Sequence, residues 1–200
     1  MQQTRAALKM PDLSGLVLDA SRYEGIAQPE GDFWLFAYGS LMWNPEFEYL
    51  RRETAHLYGY HRRLCLWSVE HRGTLQRPGL VMGLDQGGSC RGQAFLISQS
   101  VATQTIEQLN QREMITGAYQ SRLKPLYLDG GERVNAVCLI ARQDHPQYAH
   151  KLDHQITIAL VKSAHGGRGS NQEYVLNTAQ QLREMGVRDR HLEAIAQGLG

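Results

Sequence analysis

The chain has 200 residues, 42% of them hydrophobic, so it is long enough for one substantial domain and too short to make two the default. Its 21 Lys and Arg residues balance 20 Asp and Glu residues, which leaves no net field to recruit nucleic acid or an acidic membrane surface. The 3 cysteines, Cys65, Cys90 and Cys138, are odd in number and widely spaced, which fits neither a disulfide framework nor a CxxC motif.

We therefore expect free thiols in a reducing compartment. No segment has the apolar length of a membrane span, and the N-terminus makes a poor signal peptide because its apolar stretch is short and interrupted by Gly15. These features predict a soluble, cytoplasmic protein without a membrane or nucleic-acid partner. Residues 1–31 have weak periodicity and several turn formers, so we predict an N-terminal arm there and a single domain over residues 32–200.

The first strong signal is the stretch from Phe33 to Leu41. Phe33 to Ala37 is an unbroken apolar run of the length expected for a strand buried on both faces. Gly39 and Ser40 then end the run, and Pro45 prevents a further strand. Small residues at a strand end let a ligand approach the backbone, whose N–H groups can bind an anion or oxyanion. An ordinary strand-to-turn transition explains this segment equally well.

Several further strands are predicted over the next 45 residues. Residues 54–68 alternate imperfectly, which indicates one or two strands with the Arg62-Arg63 pair on the outside. Leu80 to Leu84 and Arg91 to Ser98 read as two more strands, joined through a Gly87-Gly88 turn. The charged loop between Ser68 and Leu80 contains Arg72 and Arg77. Its composition favours contact of these arginines with an anion only modestly over plain solvation.

A helix is predicted from Ala102 to Gly117, with apolar residues at spacings of four and three. Glu113 lies seven residues after Ile106, which places its carboxylate within about 20° of the apolar stripe. Burial would raise the pKa of such a carboxylate toward the range useful for proton transfer. A buried structural ion pair, or a helix that ends earlier, is an equal alternative. Arg112 falls on another face and reads as a surface charge.

The C-terminal part alternates strands and helices. Leu123 to Leu128 resembles an edge strand because of Pro125, and Arg133 to Ala141 has the pattern of an interior strand. Residues 147–163 are helical in pattern, Ser170 to Glu173 has the form of a capping box, and a last helix is predicted around residues 189–197.

Other chemistries have little support in this sequence. His150 and His154 have a spacing compatible with metal ligation, but no third ligand is evident. The glycines around Arg168 lack the spacing of a nucleotide-binding loop. Ser40 is not part of a Gly-x-Ser-x-Gly motif, and Cys65 and Cys138 lie in apolar strands where thiols are usually inert.

Several segments, in this order, resemble one known family, the ChaC-type glutathione-specific gamma-glutamylcyclotransferases. The similarity runs from about Phe33 to about Leu182 and leaves the N-terminal arm uncovered. The segments that carry it are Tyr38-Gly39-Ser40-Leu41, Gly59 to Ser68, His71-Arg72-Gly73-Thr74, Arg77 to Leu84, Gly87 to Gly92, Arg112-Glu113-Met114 and Asn171-Gln172-Glu173-Tyr174.

The resemblance implies a mixed α/β fold built around a small β-barrel with flanking helices, and no cofactor. It further implies cleavage of glutathione to 5-oxoproline and cysteinylglycine, with Glu113 catalytic and the loop Tyr38-Gly39-Ser40-Leu41 holding the gamma-glutamyl group. Arg72 and Tyr119 are weaker candidates for substrate contact, and Tyr119 fits equally well as a core aromatic residue. Action on other gamma-glutamyl amines, or non-catalytic binding of a carboxylate ligand, remain the alternatives. The oligomeric state is not predicted.

Overall fold

The computed structural model describes residues 10–200, and its centre is a closed barrel of five strands. The order around the barrel is β1-β3-β2-β4-β5, with β1 and β5 closing it as parallel neighbours. This arrangement confirms the mixed α/β class and the small barrel. The strands are β1 (Phe33–Ala37), β2 (Arg51–Ser68), β3 (Gly79–Ile97), β4 (Tyr119–Leu128) and β5 (Arg133–Ala141).

Strand β1 lies at the middle of the core. All of its residues are buried, as the apolar run predicts. It pairs antiparallel with β3, Phe33 opposite Ile97, and parallel with β5, Leu35 opposite Val137. Because β1 has neighbours on both sides and core on both faces, its C-terminal end is rigidly placed, and so is the loop that follows it.

The predicted turn at Gly87-Gly88 is wrong, because β3 runs through it as one continuous strand. Tyr58 pairs with Ser89 and Tyr60 with Gln86, so Gly87 and Gly88 lie opposite the single residue between those tyrosines. Both glycines have positive φ, 91° and 68°, which side chains rarely adopt. The Gly-Gly pair therefore forms a β-bulge that bends a long strand around the barrel.

The two arginines predicted to lie outside the barrel, Arg62 and Arg63, are instead largely covered. The Arg62 guanidinium donates to the carbonyl of Tyr38 and pairs with Asp189, while Arg63 pairs with Asp85 at 2.8 Å. Segments that follow later in the chain cover both side chains, with Asp189 against Arg62 and Tyr148 against Arg63. A pattern local to β2 cannot anticipate that cover.

Four helices pack around the barrel: α1 (Ala102–Glu113), α2 (His154–Ser163), α3 (Asn171–Glu184) and α4 (Arg190–Gly198). The predicted helix to Gly117 is too long, since α1 ends at Glu113 and Gly117 has a φ of 70°. Helix α2 begins seven residues later than predicted, where Asp153 caps it. The cap of α3 is the predicted one, with the Ser170 hydroxyl accepting from the Glu173 N–H, and α4 begins close to the predicted position, after the cap residue Asp189.

Strand β5 has the predicted bounds, whereas β4 starts at Tyr119 and is longer than predicted. Its C-terminal end is not an edge, because Leu126 to Leu128 pair with β2 as well as with β5. Only the part near Leu123, which is 66% exposed, has a single neighbour. Within residues 10–200, none of the helices has the length and apolar character that a membrane crossing requires.

Of the predicted arm, residues 1–9 lie outside the described part of the chain, and residues 10–31 pack beside the end of α1. The Asp19 N–H donates to the carbonyl of Ile115, and the Ile26 N–H donates to the Asn110 side chain. Leu13 and Ile26 are buried in the main core. This segment therefore supports the turn that follows Glu113.

Candidate active site

The loop after β1 forms one wall of the principal cavity. The Tyr38 hydroxyl donates to the Leu139 carbonyl at 2.6 Å, which fixes the start of the loop on β5. Ser40–Met42 then form one turn of 3-10 helix whose first hydrogen bond runs from the Met42 N–H to the Gly39 carbonyl. The N–H groups of Ser40 and Leu41 precede that bond, so the turn itself leaves them available as donors.

Gly39 is required where the loop passes the inner strands. A Cβ at this position would lie 3.1 Å from the Tyr174 hydroxyl and 3.4 Å from the Met82 Cβ. The Tyr174 ring cannot easily yield, because its hydroxyl accepts from the Met82 N–H at 2.9 Å. The glycine therefore allows the loop to approach the floor of the cavity, as its place in the sequence suggests.

Glu113 lies at the C-terminal end of α1 and faces this loop. Its side chain is 17% exposed, and its Oε1 lies 3.1 Å from the Arg112 Nε. Burial raises the pKa of the Glu113 carboxyl above its ordinary value, although the charges of Arg112 and Arg168 act in the opposite direction. A carboxylate with a raised pKa at a cavity wall can exchange a proton near neutral pH.

The prediction that Arg112 is a surface charge is wrong. Its side chain is 9% exposed and connects Glu113 to the loop. One Nη donates to the Asn44 carbonyl at 2.9 Å and to Glu46 at 2.8 Å, and the other donates to the Ser40 hydroxyl at 3.0 Å. The loop after β1 covers the face of α1 that carries Arg112, so the guanidinium meets protein groups there instead of water.

The cavity between these groups has a volume of about 320 Å³. It brings together every site residue that the sequence singles out, from four separate parts of the chain. These residues are Tyr38, Gly39, Ser40, Leu41, Arg72, Glu113 and Tyr119. Arg77, the alternative anion contact, is exposed and does not line this cavity.

Arg72 reaches the cavity from the loop between β2 and β3. Its guanidinium lies 5.8 Å from the centroid of the Trp43 ring and 5.5 Å from that of Tyr174, and it is 9% exposed. One Nη is 3.3 Å from the Ser170 carbonyl and 3.5 Å from Glu173. Burial lowers its pKa, but an arginine remains charged at neutral pH, so Arg72 offers a buried positive charge to a carboxylate.

Tyr119 and Tyr174 form part of the floor. The Tyr119 hydroxyl donates to the Met82 carbonyl at 2.7 Å, and Tyr174 receives the Met82 N–H. Tyr119 is thus both a core aromatic residue with a satisfied hydroxyl and a lining residue.

The sequence did not single out Tyr174, Arg168 or Glu46 as site residues. The only available signal was the position of Tyr174 in the Asn171 to Tyr174 segment of the family resemblance.

The thiols and histidines considered from the sequence lie elsewhere. Cys65 and Cys138 are buried, and burial raises their pKa values to about 12, which is unsuited to a nucleophile. His150 precedes α2 in a positive-φ conformation, so it does not share a helix face with His154. No group of three potential ligands capable of holding a metal ion occurs within residues 10–200.

Comparison with known proteins places this chain in a defined family. The model of the ChaC-like protein family matches residues 33–199. The glutathione-specific gamma-glutamylcyclotransferase of Escherichia coli (strain K12) is 38% identical over 160 residues, which cover 80% of this chain and 69% of that protein. Its counterpart from Schizosaccharomyces pombe is 31% identical over 178 residues, covering 78% of this chain and 86% of that protein.

The fold comparison agrees with the sequence comparison. A crystal structure of the gamma-glutamyl cyclotransferase specific to glutathione from yeast superposes with a TM-score of 0.79 at 22% identity, covering 85% of this chain and 96% of that one. At that identity the match speaks for the fold. Together with the family model, which spans the barrel and all four helices, it leads to one conclusion: the chain belongs to the ChaC-like family.

Proposed function

We propose that this protein cleaves glutathione to 5-oxoproline and cysteinylglycine, as a gamma-glutamylcyclotransferase of the lyase class. The observation that carries the proposal is the carboxylate of Glu113, which lies in a largely enclosed cavity opposite the Ser40–Met42 turn. The names of the relatives supply the substrate, and the cavity supplies an acid/base group where that chemistry needs one.

The reaction begins with a proton transfer. Glu113 takes a proton from the α-ammonium of the gamma-glutamyl group, and the freed amine attacks the gamma-carbonyl carbon of the same molecule. Its raised pKa makes the carboxylate a stronger base than an exposed glutamate. The attack of the amine forms the C–N bond that closes the five-membered ring. As the tetrahedral intermediate collapses, Glu113 returns the proton to the cysteine nitrogen, and the bond between that nitrogen and the gamma-carbonyl carbon breaks. The second proton of the ring nitrogen passes to the released amine.

The protein mainly has to hold the substrate in a reactive conformation. Nucleophile and electrophile belong to one molecule, and orientation of such a pair can contribute about 7–11 kcal/mol. In the proposal, the N–H groups of Ser40 and Leu41 bind the substrate carboxylate or the developing oxyanion, and the Arg72 guanidinium supplies a positive charge beside them. Arg112 positions Glu113 and the turn relative to each other.

The test is Glu113→Gln, assayed for release of 5-oxoproline from glutathione. Loss of a general acid/base group typically lowers the rate by about 10²–10⁴-fold, and the isosteric amide keeps the contact with Arg112. A folded variant that retains turnover near that of the unmodified protein refutes the mechanism. Turnover of gamma-glutamyl-alanine at the same rate as glutathione would instead indicate a broader cyclotransferase, and binding of glutathione without consumption would indicate a sensor.

A further inference from the structure

A second cavity, of about 490 Å³, adjoins the first one. Five residues line both cavities, so the two spaces meet along a common rim. These residues are Glu46, Glu70, His71, Arg112 and Arg168. A ligand that reacts beside Glu113 can therefore extend across this rim into the second cavity.

Arg168 is held on the rim by a short hairpin, β6 (His165–Gly166) and β7 (Gly169–Ser170). The Arg168 N–H donates to the His71 carbonyl at 2.9 Å, which fixes the backbone beside the cavity. One Nη donates to Glu46 at 2.9 Å, and the side chain is 42% exposed. Within residues 10–200 this is its only side-chain hydrogen bond, so most of the five guanidinium N–H donors remain free.

The rim carries charges of both signs, with Arg112 and Arg168 beside Glu46 and the exposed Glu70. A single carboxylate, that of Glu46, accepts from both Arg112 and Arg168. Burial and the charges of the neighbouring arginines together lower the pKa of His71 to about 4, against the opposing effect of Glu46. His71 is therefore neutral at pH 7. Because Arg168 donates only one of its guanidinium N–H groups to Glu46 within residues 10–200, it keeps donors for an anionic group on this rim.

Glutathione has an anionic group at a suitable distance from its reacting bond. Beyond the gamma-carbonyl lie two residues, which span about 7 Å when extended and end in the glycine carboxylate. The rim leads from Glu113 through Arg112 and Glu46 to Arg168 by contacts of 3.1, 2.8 and 2.9 Å. A substrate whose leaving nitrogen faces Glu113 can therefore place its terminal carboxylate along this rim, on which Arg168 lies.

We propose that Arg168 binds the terminal carboxylate of glutathione in the second cavity and thereby favours glutathione over gamma-glutamyl amines that lack this carboxylate. The proposal rests on the proposed function and adds a specificity-determining residue to it. The guanidinium fork suits a carboxylate, which it can bind through two parallel hydrogen bonds. Glu46 holds the fork in place before the substrate arrives.

The experiment compares glutathione with its glycine amide, which differs only in the terminal charge. With the unmodified protein, kcat/KM should be about tenfold higher for glutathione, as one charge-assisted hydrogen bond implies. The charge of Arg168 also lowers the Glu113 pKa, so each variant is compared on the plateau of its pH profile, where Glu113 is ionised. There Arg168→Gln should raise KM for glutathione about tenfold, with kcat within about twofold, and should leave the amide unaffected. Arg168→Lys keeps the charge but not the planar fork, so its KM for glutathione should lie between those of the unmodified protein and Arg168→Gln. Arg188→Gln is the matched control, since Arg188 is 73% exposed and lines neither cavity.

Calorimetry measures the binding of the same two ligands without turnover. In the Glu113→Gln background, Kd for glutathione should rise about tenfold when Arg168 is also replaced by Gln, while Kd for the amide should not change. An equal loss for both ligands would assign Arg168 a structural role only and overturn the proposal. If the unmodified protein releases no 5-oxoproline, the proposed function fails, while these binding constants still decide whether Arg168 binds the carboxylate.

Discussion

Replacement of Arg112 tests whether one side chain connects the acid/base group to the substrate-facing turn. The guanidinium makes contacts of 2.8 to 3.1 Å with Ser40, Asn44, Glu46 and Glu113. Arg112→Ala removes all of them and leaves the Glu113 carboxylate without its nearest positive charge. Arg112→Lys keeps a charge but replaces the planar fork by a single ammonium group, which cannot reach all of these partners together.

The magnitude follows from those contacts. A net contribution of about 1 kcal/mol for each gives a loss of about 4 kcal/mol for Arg112→Ala and about half of that for Arg112→Lys. For a domain of about 200 residues, 1 kcal/mol corresponds to about 2–4 °C in Tm, so the alanine variant should melt about 8–16 °C lower. The 9% exposure of the Arg112 side chain justifies the use of values for shielded contacts.

The pH dependence of activity separates positioning from mere stability. The charge and hydrogen bond of Arg112 lower the pKa of Glu113 and so oppose the effect of burial. Without Arg112 the Glu113 pKa rises further, and the unprotonated base forms only at higher pH. The acid limb of kcat/KM for glutathione should therefore move to higher pH in Arg112→Ala, and less so in Arg112→Lys.

The assay is release of 5-oxoproline measured across pH, on variants whose folding has been verified by circular dichroism at the assay temperature. A lower Tm with an unchanged acid limb would show that Arg112 supports the fold but does not act on Glu113. An unchanged Tm would refute the value of about 1 kcal/mol assigned to each contact of Arg112. Either result contradicts part of the reasoning.

Three other variants test separate features. Glu113→Gln should raise Tm at pH 7, because burial raises the folded-state pKa of Glu113 above its ordinary 4.5 and the ionised carboxylate therefore destabilises the fold. Near about pH 4 the carboxyl is protonated, so the increase in Tm should vanish there. Ser40→Ala removes one hydrogen bond and should lower kcat/KM by about tenfold or less, so a larger loss than in Glu113→Gln would revive a serine nucleophile. Asn171→Ala leaves the N–H and carbonyl of Leu80 unpaired in the core, so urea unfolding should show a free energy of unfolding lower by about 3 kcal/mol. The control Gln180→Ala, at an exposed site on the same helix, should lower it by less than about 0.5 kcal/mol.

The sequence by itself determined those features that depend on neighbouring residues. The apolar run Phe33 to Ala37 and the pattern of Arg133 to Ala141 predicted strands with the observed bounds, because burial on both faces leaves a continuous apolar signature. The cap at Ser170 was predicted for the same local reason. The helical spacing of Glu113 relative to Ile106 correctly placed an acidic side chain among buried groups.

Only the tertiary structure decided what those groups meet. Arg112 lies 66 residues from Glu46, and Arg168 lies 122 residues from Glu46, yet these contacts form the rim of both cavities. Arg62 and Arg63 are covered by segments that come much later in the chain. An arginine at a helix end has the same local pattern whether water or a loop faces it. Closure of the barrel brings distant segments together and so decides which groups each arginine contacts. The periodicity of the two segments does not depend on this contact.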